Sequence, residues 1–149
     1  MAKIRVTKEF TFEMAHALWN YDGPCKNIHG HSYKLWATVI GEPESDKKNI
    51  KYGMVIDFGD LKRIIKKKII DRFDHTVVVC KDAPHHLLSN IEQMFDKYEV
   101  APYQPTCENL VTDFANILIP ELPDNVKLHH LKLFETETSY AEWFASDNM

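Results

Sequence analysis

From Ile4 to Met14 the even positions read Ile, Val, Lys, Phe, Phe, Met and the odd ones Arg, Thr, Glu, Thr, Glu. A period of two marks a half-buried strand, here interrupted only at Lys8. Residues 20–27 (Asn-Tyr-Asp-Gly-Pro-Cys-Lys-Asn) carry turn chemistry and predict a loop. A second long strand is expected from His29 to Ile40, stopping at Gly41-Glu42-Pro43; two long strands joined by a loop predict an antiparallel pair. The polar stretch 42–51 reads as a loop and Gly53-Met54-Val55-Ile56 as a short strand. Asp57 is placed to cap a helix ending near Arg72, because Leu61, Ile64, Ile65 and Ile69 follow at helical spacing with lysines between. Residues 77–80 predict another short strand, and 81–104 is ambiguous, with a short helix over 86–97 and then a loop. Thr106 caps a second helix with Leu110, Phe114, Ile117 and Leu118 on its apolar side and Pro120 stopping it. Strands near 127–135 and 139–144 close the chain. Strands and helices without regular βα alternation predict the α+β class.

The chain has 149 residues, the size of one ordinary domain, and neither a repeat nor a linker divides it. A net charge of −4 argues against a dedicated nucleic-acid binder, which needs a basic face, but permits an anionic small-molecule substrate in a locally basic pocket. No apolar run reaches the roughly 18 residues of a membrane span. The N-terminus enters an alternating pattern with no signal-peptide core. Three widely spaced cysteines, Cys25, Cys80 and Cys107, make a poor disulfide framework and fit a reducing cytosol.

Eight histidines change the picture. In a strand, His29 and His31 point to one face with Cα atoms ~6.5 Å apart, within reach of one metal. His16 continues the apolar parity of the first strand, so antiparallel pairing brings a third imidazole to the same place. Three neutral imidazoles favour zinc and leave a coordination position open. A surface His-x-His without metal is the competing reading. His85-His86 and His129-His130 are adjacent pairs expected on opposite faces of their elements, hence ordinary. Cys25, four residues before His29, is either a fourth ligand closing a structural site or a thiol near an open metal, usable as a base. Asp74-His75 offers a carboxylate beside an imidazole. Glu135 shares the parity of Leu131 and Leu133, where a carboxylate needs a partner such as the paired N–H groups of a guanidine-like heterocycle; a solvated strand end is the alternative. Glu108 is explained equally well by the helix dipole.

The ordered blocks Phe12-Glu13-Met14-Ala15-His16, Cys25-x-x-x-His29-Gly30-His31, Gly53-Met54-Val55-Ile56-Asp57-Phe58-x-x-Leu61-Lys62, Phe73-Asp74-His75, Pro105-Thr106-x-Glu108-Asn109 and Glu135-Thr136 resemble the 6-pyruvoyltetrahydropterin synthase / 6-carboxytetrahydropterin synthase family. The resemblance covers residues 4–143 and implies one tunnelling-fold (T-fold) domain over 1–149: a four-stranded antiparallel sheet with two helices on one side, assembled into an oligomeric β-barrel, usually a homohexamer. It implies zinc on His16, His29 and His31, and a catalytic triad of Cys25, Asp74 and His75. Glu135 would anchor the pterin, with Thr106 and Glu108 in the same pocket motif, and the pocket would lie between subunits of a cytoplasmic enzyme. The implied substrate is 7,8-dihydroneopterin triphosphate. The short Cys25-x-x-x-His29 spacing looks like the 6-carboxy enzymes of queuosine and deazapurine biosynthesis. A 6-pyruvoyl activity is the alternative, and a non-catalytic zinc protein with a closed three-histidine, one-cysteine site is a third. Cys25 argues against the folate-linked branch, which carries glutamate there. The long 81–104 segment departs from the compact 6-carboxy pattern.

Overall fold

The computed structural model describes residues 2–149. The first strand, β1 (Ile4–His16), pairs antiparallel with β2 (His29–Gly41) along their whole lengths, from Ile4 opposite Gly41 to His16 opposite His29. Alternation decides which face is covered. Phe12, Met14 and His16 of β1 and Tyr33, Leu35, Ala37 and Val39 of β2 are buried. Lys8 only dilutes the pattern, because the outer half of β1 is at most half-buried.

Asp57 caps α1 (Phe58–Ile65) by accepting from the Gly59 amide at 2.7 Å. The helical run continues through a π turn at Lys66–Ile70 into α2 (Asp71–Phe73), so its end falls one residue beyond the expected Arg72. Leu61, Ile65, Ile69 and Phe73 are fully buried along it. Then come β3 (Thr76–Cys80), α3 (His85–Met94) and β4 (Tyr98–Ala101). Thr106 caps α4 (Cys107–Leu118), its hydroxyl accepting from the Asn109 amide at 3.2 Å. The chain ends with β5 (Val126–Phe134), β6 (Tyr140–Phe144) and a helical turn, α5 (Ala145–Asn148).

The six strands form one mixed sheet in the order β4-β3-β1-β2-β5-β6. The expected four-stranded antiparallel sheet is therefore corrected: β3 and β4 extend it with parallel pairings to β1 and to each other. The α+β class stands, with α1 and α4 packed on one face through Leu61, Ile65, Leu110, Phe114 and Leu118. Helix α3 buries no residue. Gly53–Ile56 is not a strand. Two backbone bonds tie Gly53 and Met54 to Glu44, and Gly53 turns through the left-handed region at φ 84°. A bulge in β5, between the pairs Thr38–His130 and Val39–Leu128, inserts His129 as an extra residue.

Candidate metal centre and its surroundings

The covered face of the β1–β2 pair changes character at its end. Inward-facing Phe12 and Met14 give way to His16, and Tyr33 gives way to His31 and His29. One imidazole nitrogen of each histidine lies within 4.8 Å of the others. His16 is 1% exposed and His31 21%.

Hydrogen bonds fix which nitrogens face inward. His16 Nδ1 lies 2.7 Å from the Pro105 carbonyl and His29 Nδ1 2.7 Å from the Asn27 carbonyl. A carbonyl only accepts, so each Nδ1 is assigned the proton, and in the neutral ring each Nε2 is left with a lone pair. These two Nε2 atoms are 3.0 Å apart. Two acceptors cannot satisfy each other, and a cation between them would. Nitrogens bound to zinc at ~2.0–2.1 Å in tetrahedral geometry sit about 3.3 Å apart, close to the His16–His29 separation, while the full set of three spans up to 4.8 Å. Burial, and then the neighbouring His29 and His31, holds His16 below its ordinary pKa against the opposing pull of the Pro105 bond and Glu135. A neutral imidazole is the ligand form. The backbone carbonyls on Nδ1 are the outer partners that orient metal-binding histidines.

Glu135 follows β5 on the parity of Leu131 and Leu133 and reaches this cluster. Its Oε1 is 3.3 Å from His16 Nε2 and 3.5 Å from His31 Nε2, with 26% of the side chain exposed. Beneath lie two buried groups that sequence reasoning passed over, Tyr33 and Cys107. Burial and then the Glu135 carboxylate push the Tyr33 phenol well above its usual range and the Cys107 thiol up to about 12. The Tyr33 hydroxyl is buried and meets no hydrogen-bond partner of good geometry among the described residues, Glu135 being the nearby carboxylate. Its position was signalled by the i, i+2 series 29, 31, 33.

Cys25 sits in a 3₁₀ turn at Pro24–Lys26 and is partly exposed. It is not among the grouped ligand atoms. Asp74 and His75 form a pair, Asp74 Oδ1 lying 3.0 Å from His75 Nδ1 and accepting from the Glu13 amide at 2.8 Å. Burial alone would raise the Asp74 pKa, but the Glu13 amide, His75 and Lys97 outweigh it and hold the carboxyl below its ordinary value. His75 adopts φ 58° and is 76% exposed, a strained residue presented to solvent. A groove of about 310 Å³ runs along Glu13, Gly30, His31, Ser32 and His75, joining the dyad to the edge of the histidine cluster. No side-chain hydrogen bond links Cys25 to this dyad among the described residues. Thr106 serves as the α4 cap, and Glu108 is exposed in its first turn.

His129 and His130 do not point to opposite faces. The bulge brings them together, with Nδ1 atoms 2.8 Å apart and His130 stacked on Phe144.

A protein-family model described as 6-pyruvoyl tetrahydropterin synthase matches residues 5–146. A Haemophilus influenzae protein named 6-carboxy-5,6,7,8-tetrahydropterin synthase is 34% identical over 141 residues, covering 93% of this chain and 97% of that one. A Dictyostelium discoideum 6-pyruvoyl tetrahydrobiopterin synthase is 31% identical over 118 residues, 79% of this chain and 71% of that one. Among solved structures, 6-pyruvoyl tetrahydropterin synthase of Caenorhabditis elegans shares the fold with a TM-score of 0.69 at 21% identity, covering 97% of each chain. An uncharacterized Wolinella succinogenes protein gives 0.79 at 20% identity, covering 97% of this chain and 99% of that one.

Proposed function

The chain belongs to the 6-pyruvoyl tetrahydropterin synthase family, and from that premise we propose that it is a lyase converting 7,8-dihydroneopterin triphosphate and one water to 6-carboxy-5,6,7,8-tetrahydropterin, with loss of triphosphate and acetaldehyde. The reading is supported by near full-length similarity to proteins named for that product. The observation that carries the chemistry is the pair of inward lone pairs on His16 and His29, 3.0 Å apart, with His31 beside them.

His16, His29 and His31 would hold zinc, which when bound supplies Lewis-acid polarisation of the substrate's side-chain oxygens. Cys25, on its short turn, takes the proton from the adjacent carbon as general base. The Asp74–His75 pair holds an imidazole in one orientation for proton exchange at the solvent side. Glu135 accepts the paired N–H donors of the pterin's aminopyrimidine edge. Thr106 and Glu108 complete the pterin pocket. The enzyme acts as one domain in a cytoplasmic homohexamer, with the pocket between subunits, and serves the queuosine route. No helix among the described residues is long and apolar enough to cross a membrane, and the three cysteines are free.

The similarity to the Dictyostelium enzyme favours 6-pyruvoyl formation as the second reading. The closed site with Cys25 as fourth ligand has less support, because Cys25 stands outside the ligand group. Mass identification of the products from zinc-loaded protein and dihydroneopterin triphosphate is the test. A 6-carboxy pterin with acetaldehyde is expected, a 6-pyruvoyl pterin without acetaldehyde supports the alternative, and unchanged substrate overturns both.

A further inference from the structure

The 81–104 segment ends in a stretch whose side chains reach out to two separate parts of the proposed site. At one end Lys97, just before β4, donates from Nζ to the Asp71 carbonyl at 2.7 Å and to the Asp74 carbonyl. These are acceptors left over where the helical run stops, so an ammonium there satisfies them and complements the helix dipole. The turn it closes carries Asp74 and the left-handed His75. The Lys97 carbonyl in turn accepts from the Val77 amide at 3.2 Å, so this turn is gripped from both sides.

At the other end is Gln104. Its Oε1 accepts from the Trp19 amide at 2.9 Å and its Nε2 donates to the Trp19 carbonyl at 2.7 Å. One side-chain amide thus pairs with both polar groups of a main-chain residue 85 positions away. Trp19 belongs to the loop between β1 and β2, which is closed by a 2.9 Å bond from the Leu18 amide to the Cys25 carbonyl. Gln104 is itself fixed, its carbonyl accepting from Asn109 Nδ2 at 2.9 Å. The next residue, Pro105, supplies the carbonyl that orients His16.

We propose that Lys97 and Gln104 are positioning residues, through which the 97–104 stretch braces the Asp74–His75 turn and the Cys25 loop. This rests on the reading that Cys25, Asp74 and His75 carry the proton transfers. Both contacts are directional and reach backbone rather than substrate, so their loss displaces reacting groups without removing them. A displacement on the ångström scale costs turnover more than binding.

The test uses the full-length zinc-loaded protein with Lys97→Met, Lys97→Arg, Gln104→Leu, Gln104→Glu and, as reference, Cys25→Ala. Lys97→Met and Gln104→Leu are expected to lower kcat by about 10- to 100-fold, with KM within about twofold. Zinc should stay at the wild-type content. Amide hydrogen exchange should quicken over 17–28 in the Gln104 variant and over 71–77 in the Lys97 variant. Lys97→Arg, which keeps the charge and two donors, should restore most of the turnover. Gln104→Glu retains the acceptor for the Trp19 amide and should fall between wild type and leucine, giving a readable result even if leucine impairs folding. Wild-type kcat in both Lys97→Met and Gln104→Leu, with Cys25→Ala inactive, overturns the bracing role alone. Full turnover in Cys25→Ala overturns the reading beneath it.

Discussion

Two groups of neighbouring imidazoles lie on opposite faces of the same sheet, and they differ in which nitrogens are left over. His16, His29 and His31 sit at the end of the helix-covered face, where backbone carbonyls occupy the Nδ1 atoms of His16 and His29 and leave two Nε2 lone pairs 3.0 Å apart. His129 and His130 sit on the other face at the β5 bulge, with Nδ1 atoms facing each other at 2.8 Å. The second pair is complete in itself, because one Nδ1–H donates to the other ring's lone pair. The first is not, because with both Nδ1 protons given to carbonyls its two Nε2 acceptors face each other, and a cation or a shared proton is what would satisfy both. Proximity of histidines is therefore a weaker sign of a metal than the placement of their second nitrogens.

The largest expected effect tests this contrast directly. His16→Ala/His31→Ala should lose its zinc, measured by elemental analysis of dialysed protein, and its turnover should drop to background. His129→Ala/His130→Ala should keep wild-type zinc. Full zinc occupancy in the first double variant would remove the assignment. Next in size is Cys25→Ala, which separates ligands from chemistry. It should retain zinc and fold while turnover falls by about 10²–10⁴, the range for a lost general base. Loss of zinc together with turnover would instead make Cys25 a fourth ligand.

The ease of reading these regions from sequence follows their backbone regularity. The first cluster lies on an unbroken antiparallel ladder, so parity alone brought His16, His29 and His31 together. Parity failed at His129-His130 because the inserted bulge residue shifts every side chain that follows. Strand β4 (Tyr98–Ala101) has only four residues, too few for a periodic signal, and its parallel pairing with β3 is set by tertiary packing. Gln104 and Lys97 carry no local signature at all, since their partners are main-chain groups 85 and 23–26 positions away. The parity of Glu135 predicts the inner face, but its approach to two imidazoles depends on how β5 ends against β2.

Glu135 supplies the next prediction. The amide of Glu135→Gln presents a donor where two acceptors are needed, so product pterin should bind more weakly by ~1–3 kcal/mol, the typical cost of an unsatisfied buried partner. Titration of wild type and variant at equal zinc content measures this. Unchanged affinity would make Glu135 a solvated strand end that merely leans on the histidines.

The smallest effect concerns the self-satisfied pair. Burial, then Arg5, lowers the His129 pKa below 6.5; burial, then His129, lowers that of His130, with Arg5 and Lys132 adding and Glu142 opposing. In the folded chain both rings therefore bind fewer protons than in the unfolded chain just below pH 6.5, and stability rises with pH there. Their contribution is complete above pH 6.5 and is lost as the pH falls toward the depressed folded values. Protonating the second ring also sets two Nδ1–H groups face to face across 2.8 Å, which ends the hydrogen bond. In His129→Gln/His130→Gln neither ring remains to titrate, so Tm should decline less between pH 7 and pH 5 than in wild type. Both groups are partly solvated, and the difference should not exceed about 2 °C for a chain of this size. Both samples are compared at equal zinc content, so that the first cluster contributes alike to the two curves. Parallel melting curves across that range would mean that the pair on the bulge is too well solvated to feel its own geometry.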